Sequence, residues 1–207
     1  MRKEYTFGII GAGMYGKVLG RWLMQDDRAR IKWVNSASLE TAQAAALELG
    51  AEKFTLDYHE VLADTEVNAV IIATPPYLHA EQFSAAVDAK KHILLEKPMA
   101  ESLESVEKIV KKSKEAADKV ILEASCRHTR LTRKFKFIKD IIDSGKLGEI
   151  YHIHHNHLQR YTFIEWNYKG AWAMNKKLGG GGPFIDLGVY DLSFHLGLLN
   201  DKPELVS

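Results

Sequence analysis

A chain of 207 residues with 28 Lys and Arg against 27 Asp and Glu carries a formal charge of only +1, and neither sign is gathered into a block, which argues against nucleic acid or a membrane surface as the main partner. Neither a signal peptide nor a membrane-spanning helix is expected, because no apolar run approaches the roughly 20 residues that spanning requires. The single cysteine, Cys126, cannot form an intramolecular disulfide and fits a reducing cytoplasm.

The predicted elements alternate. Residues 5–10 form a short apolar run that stops at Gly11, as a buried strand would. Over 14–25 the period changes, and Val18, Leu19, Trp22 and Leu23 share one helical face. A second strand over 31–34 precedes an alanine-rich helix over 39–49 that Gly50 stops. A short helix is expected over 57–62, a strand buried on both faces over 69–73, and a helix over 78–89. The strand 92–95 runs into Glu96-Lys97-Pro98, and a helix over 102–117 leads to the strand 120–122. Ser102 is placed to cap that helix, and Lys108, Lys111, Lys112 and Lys114 suit the negative end of its dipole.

Strands alternating with helices of ten or more residues imply an α/β fold: a doubly wound parallel sheet with helices on both faces. Ligands of such sheets bind beyond the carboxyl ends of the strands. Residues 11–16, 74–79 and 96–98 each follow a strand directly, so the fold gathers them at one edge. After residue 124 the pattern changes. A helix over 132–143 ends at Ser144-Gly145, an alternating strand is expected over 149–160, and an aromatic, irregular stretch reaches Trp172. Gly179-Gly180-Gly181-Gly182 then opens a last apolar helix over 184–199. The reading is of two domains, 1–124 and 125–207.

In Gly11-Ala12-Gly13-Met14-Tyr15-Gly16, the first glycine permits a tight strand-to-helix turn, the second lets backbone approach a pyrophosphate, and the third lets helix pack on strand. The helix N-terminus offers N–H groups and a positive dipole end to phosphate. A carboxylate at the end of the second strand would select NAD, but that end reads Asn35-Ser36-Ala37-Ser38. Small hydroxyls do not repel a 2′-phosphate, and no arginine stands by to hold one. The balance tips slightly to NADP over NAD.

Lys97 precedes a proline, where a cis peptide is common enough to matter, and such a bend could aim the amine at substrate. Beside a positively charged nicotinamide an ammonium gives up its proton more readily, which makes a proton donor or acceptor of a lysine so placed. Asp186 and Tyr190, four apart on the expected last helix, share a face. The same spacing suits an aspartate stabilised by the helix dipole and a tyrosine packed in the core. On a strand, His152 and His154 would share one face and His155 and His157 the other, with no cysteine or acidic residue at metal-ligand spacing, so no metal is expected. Cys126 reads as a buried thiol.

These residues bring a family into view. The glycine turn, Thr74-Pro75-Pro76-Tyr77-Leu78-His79, Glu96-Lys97-Pro98, Ser144-Gly145-Lys146-Leu147-Gly148-Glu149-Ile150 and Gly180-Gly181-Gly182-Pro183-Phe184-Ile185-Asp186-Leu187-Gly188-Val189-Tyr190 occur in an order and spacing that resemble the glucose–fructose oxidoreductase, inositol dehydrogenase and MocA family. The resemblance covers essentially the whole chain. It implies an N-terminal Rossmann domain, the beginning of an α/β substrate domain whose open sheet mediates oligomers, and hydride transfer between NAD or NADP and a sugar, polyol or related alcohol. It implies that Lys97 hydrogen-bonds the reacting oxygen and that Asp186 positions substrate and assists the proton relay. Thr74, Pro75, His79 and Glu96 would line the ribose and nicotinamide end, beside Gly11, Gly13, Met14, Tyr15, Gly16 and Ser36 on the rest of the cofactor. Tyr190 falls where many members carry histidine, as in the subgroup of glucose–fructose oxidoreductase and dihydrodiol dehydrogenase. Either Lys97 or Tyr190 could then be the proximal acid.

Family members run well beyond residue 207, so the chain reads as truncated at its C-terminus, lacking most strands of the second sheet. The enzyme reading has two rivals: a nucleotide-binding sensor without turnover, and a subunit completed by another chain. Substrate-pocket residues would come from the aromatic stretch 161–172.

Overall fold

A computed structural model describes residues 4–125, 129–158, 172–173 and 175–199, which fall into two compact units, Met1–Ala124 and Ser125–Ser207. In the first unit, six strands, β1 (Tyr5–Ile10), β2 (Ala29–Asn35), β3 (Lys53–Thr55), β4 (Ala69–Ile72), β5 (His92–Leu95) and β6 (Ile121–Glu123), stand in the order β3-β2-β1-β4-β5-β6. Every pairing is parallel. Because β1 pairs with both β2 and β4, the winding reverses there and a crevice opens at the carboxyl ends of β1 and β4.

Five helices cover the sheet: α1 (Met14–Leu23), α2 (Leu39–Leu49), α3 (Tyr58–Ala63), α4 (His79–Asp88) and α5 (Leu103–Ser113). Side chains of a strand point alternately to its two faces, and the two cores follow that alternation. Ile9, Val34 and Ile71 bury against Leu19 of α1 and Ala45 and Leu49 of α2. Ile10, Val70 and Ile72 bury against Leu62 of α3, Phe83 and Val87 of α4 and Ile109 of α5. Each of the larger side chains contributes about 1.5–3 kcal/mol by leaving water. The doubly wound α/β sheet that the alternation implied is present.

The helix ends follow from local chemistry. Ser38 caps α2 by accepting from the Thr41 amide, and Gly50 closes it in the left-handed conformation at φ 60°. Ser102 caps α5 by accepting from the Ser105 amide at 3.2 Å. Two helix boundaries and one strand stand out against the sequence expectation. A turn of 3-10 helix over Pro76–Leu78 precedes α4, which starts only at His79. At the other end of the β5 crossover, α5 stops at Ser113 and tightens into a 3-10 turn over Lys114–Ala116. The edge strand β3 was not foreseen, because three residues are too few to display a period.

The second unit contains α6 (Arg133–Asp143), α7 (Lys176–Gly179), α8 (Gly182–Asp186) and α9 (Gly188–Leu199). Phe135 of α6 meets Phe194 of α9 edge-on at 5.6 Å between ring centres. A Cβ on Gly197 would stand 3.0 Å from the Phe135 ring, so the glycine sets how closely α6 and α9 approach. The strand expected over 149–160 is not observed over 149–158, and 159–160 lie outside the described residues. A strand needs a hydrogen-bonded neighbour, and none is present among the described residues of this unit. Side chains hold the segment instead: His157 Nδ1 lies 3.1 Å from Asp191 Oδ2, and His155 Nδ1 lies 2.7 Å from His195 Nε2. The single helix expected over 184–199 is two helices, broken at Leu187, before a buried Gly188 where a Cβ would stand 3.0 Å from the Phe184 ring.

Candidate functional site

Gly11 ends β1 at φ +89°, a conformation that L side chains rarely adopt. A Cβ there would also stand 2.7 Å from the Thr74 amide nitrogen and Cγ2, so the turn lies directly against the residue that follows β4. The amides of Gly11 and Ala12 both donate to the Asn35 carbonyl, at 3.1 and 2.7 Å, which ties the turn to the end of β2. At Gly16 a Cβ would come within 2.2 Å of the Gly11 carbonyl oxygen, so α1 starts hard against the turn. Gly13 is different. Nothing lies within 4 Å of where its Cβ would be, and it begins α1 with no side-chain cap and no acidic residue in the first turn. An exposed Met14 and a half-buried Tyr15 follow. An open approach to backbone N–H groups at a positive dipole end is what a pyrophosphate requires.

At the end of β2 the Ser36 amide donates to the Thr55 carbonyl at 3.2 Å and the Asn35 side chain does so at 3.3 Å. Ser36 is buried. The Ser38 hydroxyl is already committed, accepting from the Thr41 amide at 3.3 Å and donating to Thr41 Oγ1 at 2.8 Å. No carboxylate occupies residues 35–38.

The segments after β4 and β5 are locked together. Strand pairing sets Ile72 opposite Leu95, and the Glu96 amide extends the ladder by donating to the Ile72 carbonyl at 2.9 Å. Glu96 is buried and folds back, its Oε2 accepting from the Lys97 amide at 3.0 Å. The Lys97–Pro98 peptide is cis. Thr74 donates from Oγ1 to Gln82 Oε1 at 2.6 Å, and Pro75 beside it is half-buried. His79, the first residue of α4, is fully enclosed, at 0% exposure. Its Nε2 lies 2.8 Å from the Thr74 carbonyl oxygen, and its Nδ1 lies 3.1 and 3.2 Å from those of Pro98 and Met99. Burial pushes its proton affinity below the ordinary imidazole range, against the pull of those carbonyls and of Glu101. A ring so enclosed touches main chain rather than a crevice, so His79 serves the crevice through the segments it joins. Sequence reading missed Gln82. Its signal was the spacing 79, 82, 83, 86, which marks one buried face of α4.

Gly11, Thr74, His79, Glu96 and Lys97 thus form one connected carboxyl-edge site in the first unit. Asp186 and Tyr190 belong to the second unit. Asp186 closes α8, and Tyr190 lies in the first turn of α9 with its amide donating to the Leu187 carbonyl at 3.0 Å. They occupy successive helices rather than one face of a continuous helix. Among the described residues no group of three His, Cys, Asp or Glu could hold a metal ion, and no helix is long and apolar enough to cross a membrane. Cys126 and residues 161–171 lie outside the described residues.

Strand order, switch point and glycine turn define the class: a Rossmann domain built to take a dinucleotide. Comparison with known families agrees, since the model of the oxidoreductase family with an NAD-binding Rossmann fold matches residues 5–124 and that of the GFO/IDH/MocA C-terminal domain matches residues 135–207. The chain belongs to this family, that of glucose–fructose oxidoreductase, inositol dehydrogenase and MocA. One relative is the 1,5-anhydro-D-fructose reductase of Ensifer adhaerens, 30% identical over an alignment of 205 positions that covers 95% of this chain and 57% of the reductase. The chain therefore spans little more than half the length of that relative. Scyllo-inositol dehydrogenase of Lactobacillus casei, solved with NAD(H) and scyllo-inositol bound, is 26% identical with a TM-score of 0.66 over 72% of this chain and 43% of that one. Myo-inositol 2-dehydrogenase of Lactobacillus plantarum shares the fold more extensively, with a TM-score of 0.85 over 97% of this chain and 58% of that one at 22% identity.

Proposed function

We propose that this chain carries the dinucleotide site and the proton-handling residues of an NAD(P)-dependent oxidoreductase that interconverts a hydroxyl and a carbonyl on a sugar, polyol or related alcohol. The observation that carries the reading is the linkage of two segments at one sheet edge: the glycine turn packs on Thr74, and Thr74 is joined through His79 to the Glu96-Lys97-Pro98 segment. Gly11, Gly13, Met14, Tyr15 and Gly16 would hold the pyrophosphate, Ser36 the adenosine ribose, and Thr74, Pro75 and the Glu96-Lys97 backbone the nicotinamide end. When bound, the nicotinamide takes up or gives back the hydride. Lys97 holds the reacting oxygen and passes its proton, while Asp186 orients the substrate. Tyr190 is the second proton donor.

The end of β2 has no carboxylate to reject a 2′-phosphate, so NADP binds at least as well as NAD. Exposed apolar side chains of the second unit, Tyr151, Leu158 and Phe184 among them, support association into a homo-oligomer through that unit. The single cysteine supports a reducing, cytoplasmic setting.

Turnover of NAD and NADP against a panel of sugars and polyols, with wild type and Lys97→Ala, tests the reading. The expected result is activity on at least one polyol or sugar, a ~10²–10⁴-fold lower kcat in the variant, and dinucleotide affinity within a few-fold. Dinucleotide binding without turnover of any member would overturn the enzyme reading in favour of a nucleotide-binding sensor or a subunit of a larger assembly.

A further inference from the structure

His79 presents an accounting problem that the cofactor reading does not solve. Its ring meets three oxygens, and all three are main-chain carbonyls, which only accept hydrogen bonds. A ring serving merely to fill space beneath the sheet edge would need none of them. A side chain lining a bound ligand would expose one nitrogen, and this one exposes nothing. The two sides of the ring hold different segments: Nε2 takes the carbonyl of Thr74, the residue against which the glycine turn packs, and Nδ1 takes the carbonyls of the two residues that follow Lys97. The Thr74 end is anchored a second time, through Gln82 from the next turn of the same helix. The Lys97 end is anchored on its other side by Glu96.

We propose that His79 is the positioning residue for Lys97: its imidazole clamps the Pro98 and Met99 carbonyls to the end of β4, and so sets where the Lys97 amine stands with respect to the glycine turn. A neutral ring carries one N–H, donated at one end, while its other nitrogen packs against the carbonyl at the other, so the clamp uses both sides of the ring. Asn and Gln separate the two ends. An asparagine amide falls near the position of Nδ1 and can still donate to Pro98 or Met99 but not to Thr74; a glutamine amide falls near Nε2 and does the reverse. Burial lowers the proton affinity of the ring, and Glu101, fixed by hydroxyl donors on Ser102 and Ser105 at 3.0 and 2.7 Å, is the nearby charge that opposes this shift. This assignment rests on the oxidoreductase reading for its purpose, but not for its test.

The test is trace acetylation of the lysines of the full chain, read by mass spectrometry with surface lysines as internal standards. His79→Asn and His79→Gln should each raise the relative reactivity of Lys97 at least threefold, with dinucleotide affinity, measured by NADPH fluorescence, held within about threefold of wild type. If the chain turns over a substrate, kcat should fall by ~10–100-fold while KM for the dinucleotide stays put, since small misplacements act on the reaction rather than on binding. Unchanged Lys97 reactivity in both folded variants would overturn the proposal, whether or not any activity is found. Should both variants fail to fold, ring 15N spectra of the wild type decide. A ring N–H that exchanges slowly with solvent supports the clamp, and a ring in rapid exchange with water overturns it.

Discussion

Asp64 shows what a single carboxylate can do at the opposite, amino-terminal edge of the sheet. It accepts from Lys32 Nζ and Trp33 Nε1, each at 2.8 Å, and from the Glu66 amide at 2.9 Å. Its own carbonyl takes the Lys91 ammonium at 2.8 Å. The Lys32 hydrogen bond, then that of Trp33, holds the carboxyl well below the usual carboxylate range. A depressed folded value means that the native state prefers the ionised form. The contribution is complete above the unfolded value of about 4 and is lost as pH falls below it towards the folded value. Asp64→Asn should therefore destabilise the protein at pH 7 and flatten the acid limb below about pH 4. Urea unfolding of both proteins between pH 2 and 7 checks this, and parallel curves would refute it. For the proposed reaction the comparable residue-scale question is which group gives up the proton. Tyr190→Phe keeps the ring and removes only the hydroxyl, so a kcat loss of tenfold or more there, set against Lys97→Ala, apportions the role by rate.

At the scale of the element, the Ser38 cap separates two uses of a hydroxyl. If it serves only α2, Ser38→Ala costs about 1 kcal/mol of stability and leaves the ratio of NADP to NAD affinity within twofold, as thermal unfolding and titration would show. A fall in NADP affinity alone would place Ser38 at the 2′-phosphate instead. Gly50 and Ser102 were legible in the sequence because helix ends are local and each acts within a few residues of itself, whereas Ser38, read there only as part of the end of the second strand, shows itself as a cap in the structure. The strand β4 was legible because burial on both faces leaves an unbroken apolar run, and β1 and β5 because short, mainly apolar runs end at Gly11 and Glu96. What failed was non-local. Residues 149–158 alternate as a strand should, yet pairing depends on a partner that alternation cannot supply. The break at Leu187 lies within a continuous apolar pattern, which has no period to announce it. His79 was found by its motif, but its partners Pro98 and Met99 lie 19 and 20 positions away, so only the fold reveals that it joins two segments.

At the scale of the whole molecule, the two units rest on separate cores. The first is held by the two layers on either side of the sheet, and the second by contacts such as Phe135 with Phe194. A ligand that binds only the native first unit stabilises that unit by mass action. At free NADPH one hundred times above its Kd the gain is about 2.7 kcal/mol. For amides that exchange only on full opening of the unit, that corresponds to slowing of about a hundredfold. Hydrogen exchange with and without NADPH should therefore show this slowing in the central strands β1, β4 and β5, where opening demands loss of the core. The amides of α1 nearest Gly13 should slow as well, because in the proposed site they would face the pyrophosphate. The edge strand β3, three residues long, should gain least within the sheet, since it can fray without releasing the ligand. Amides of α6 and α9 report the other unit, and little change is expected there if the dinucleotide is held by the first unit alone. Slowing confined to α6 and α9, with none at β1 or at the start of α1, would show that the glycine turn is not the dinucleotide site.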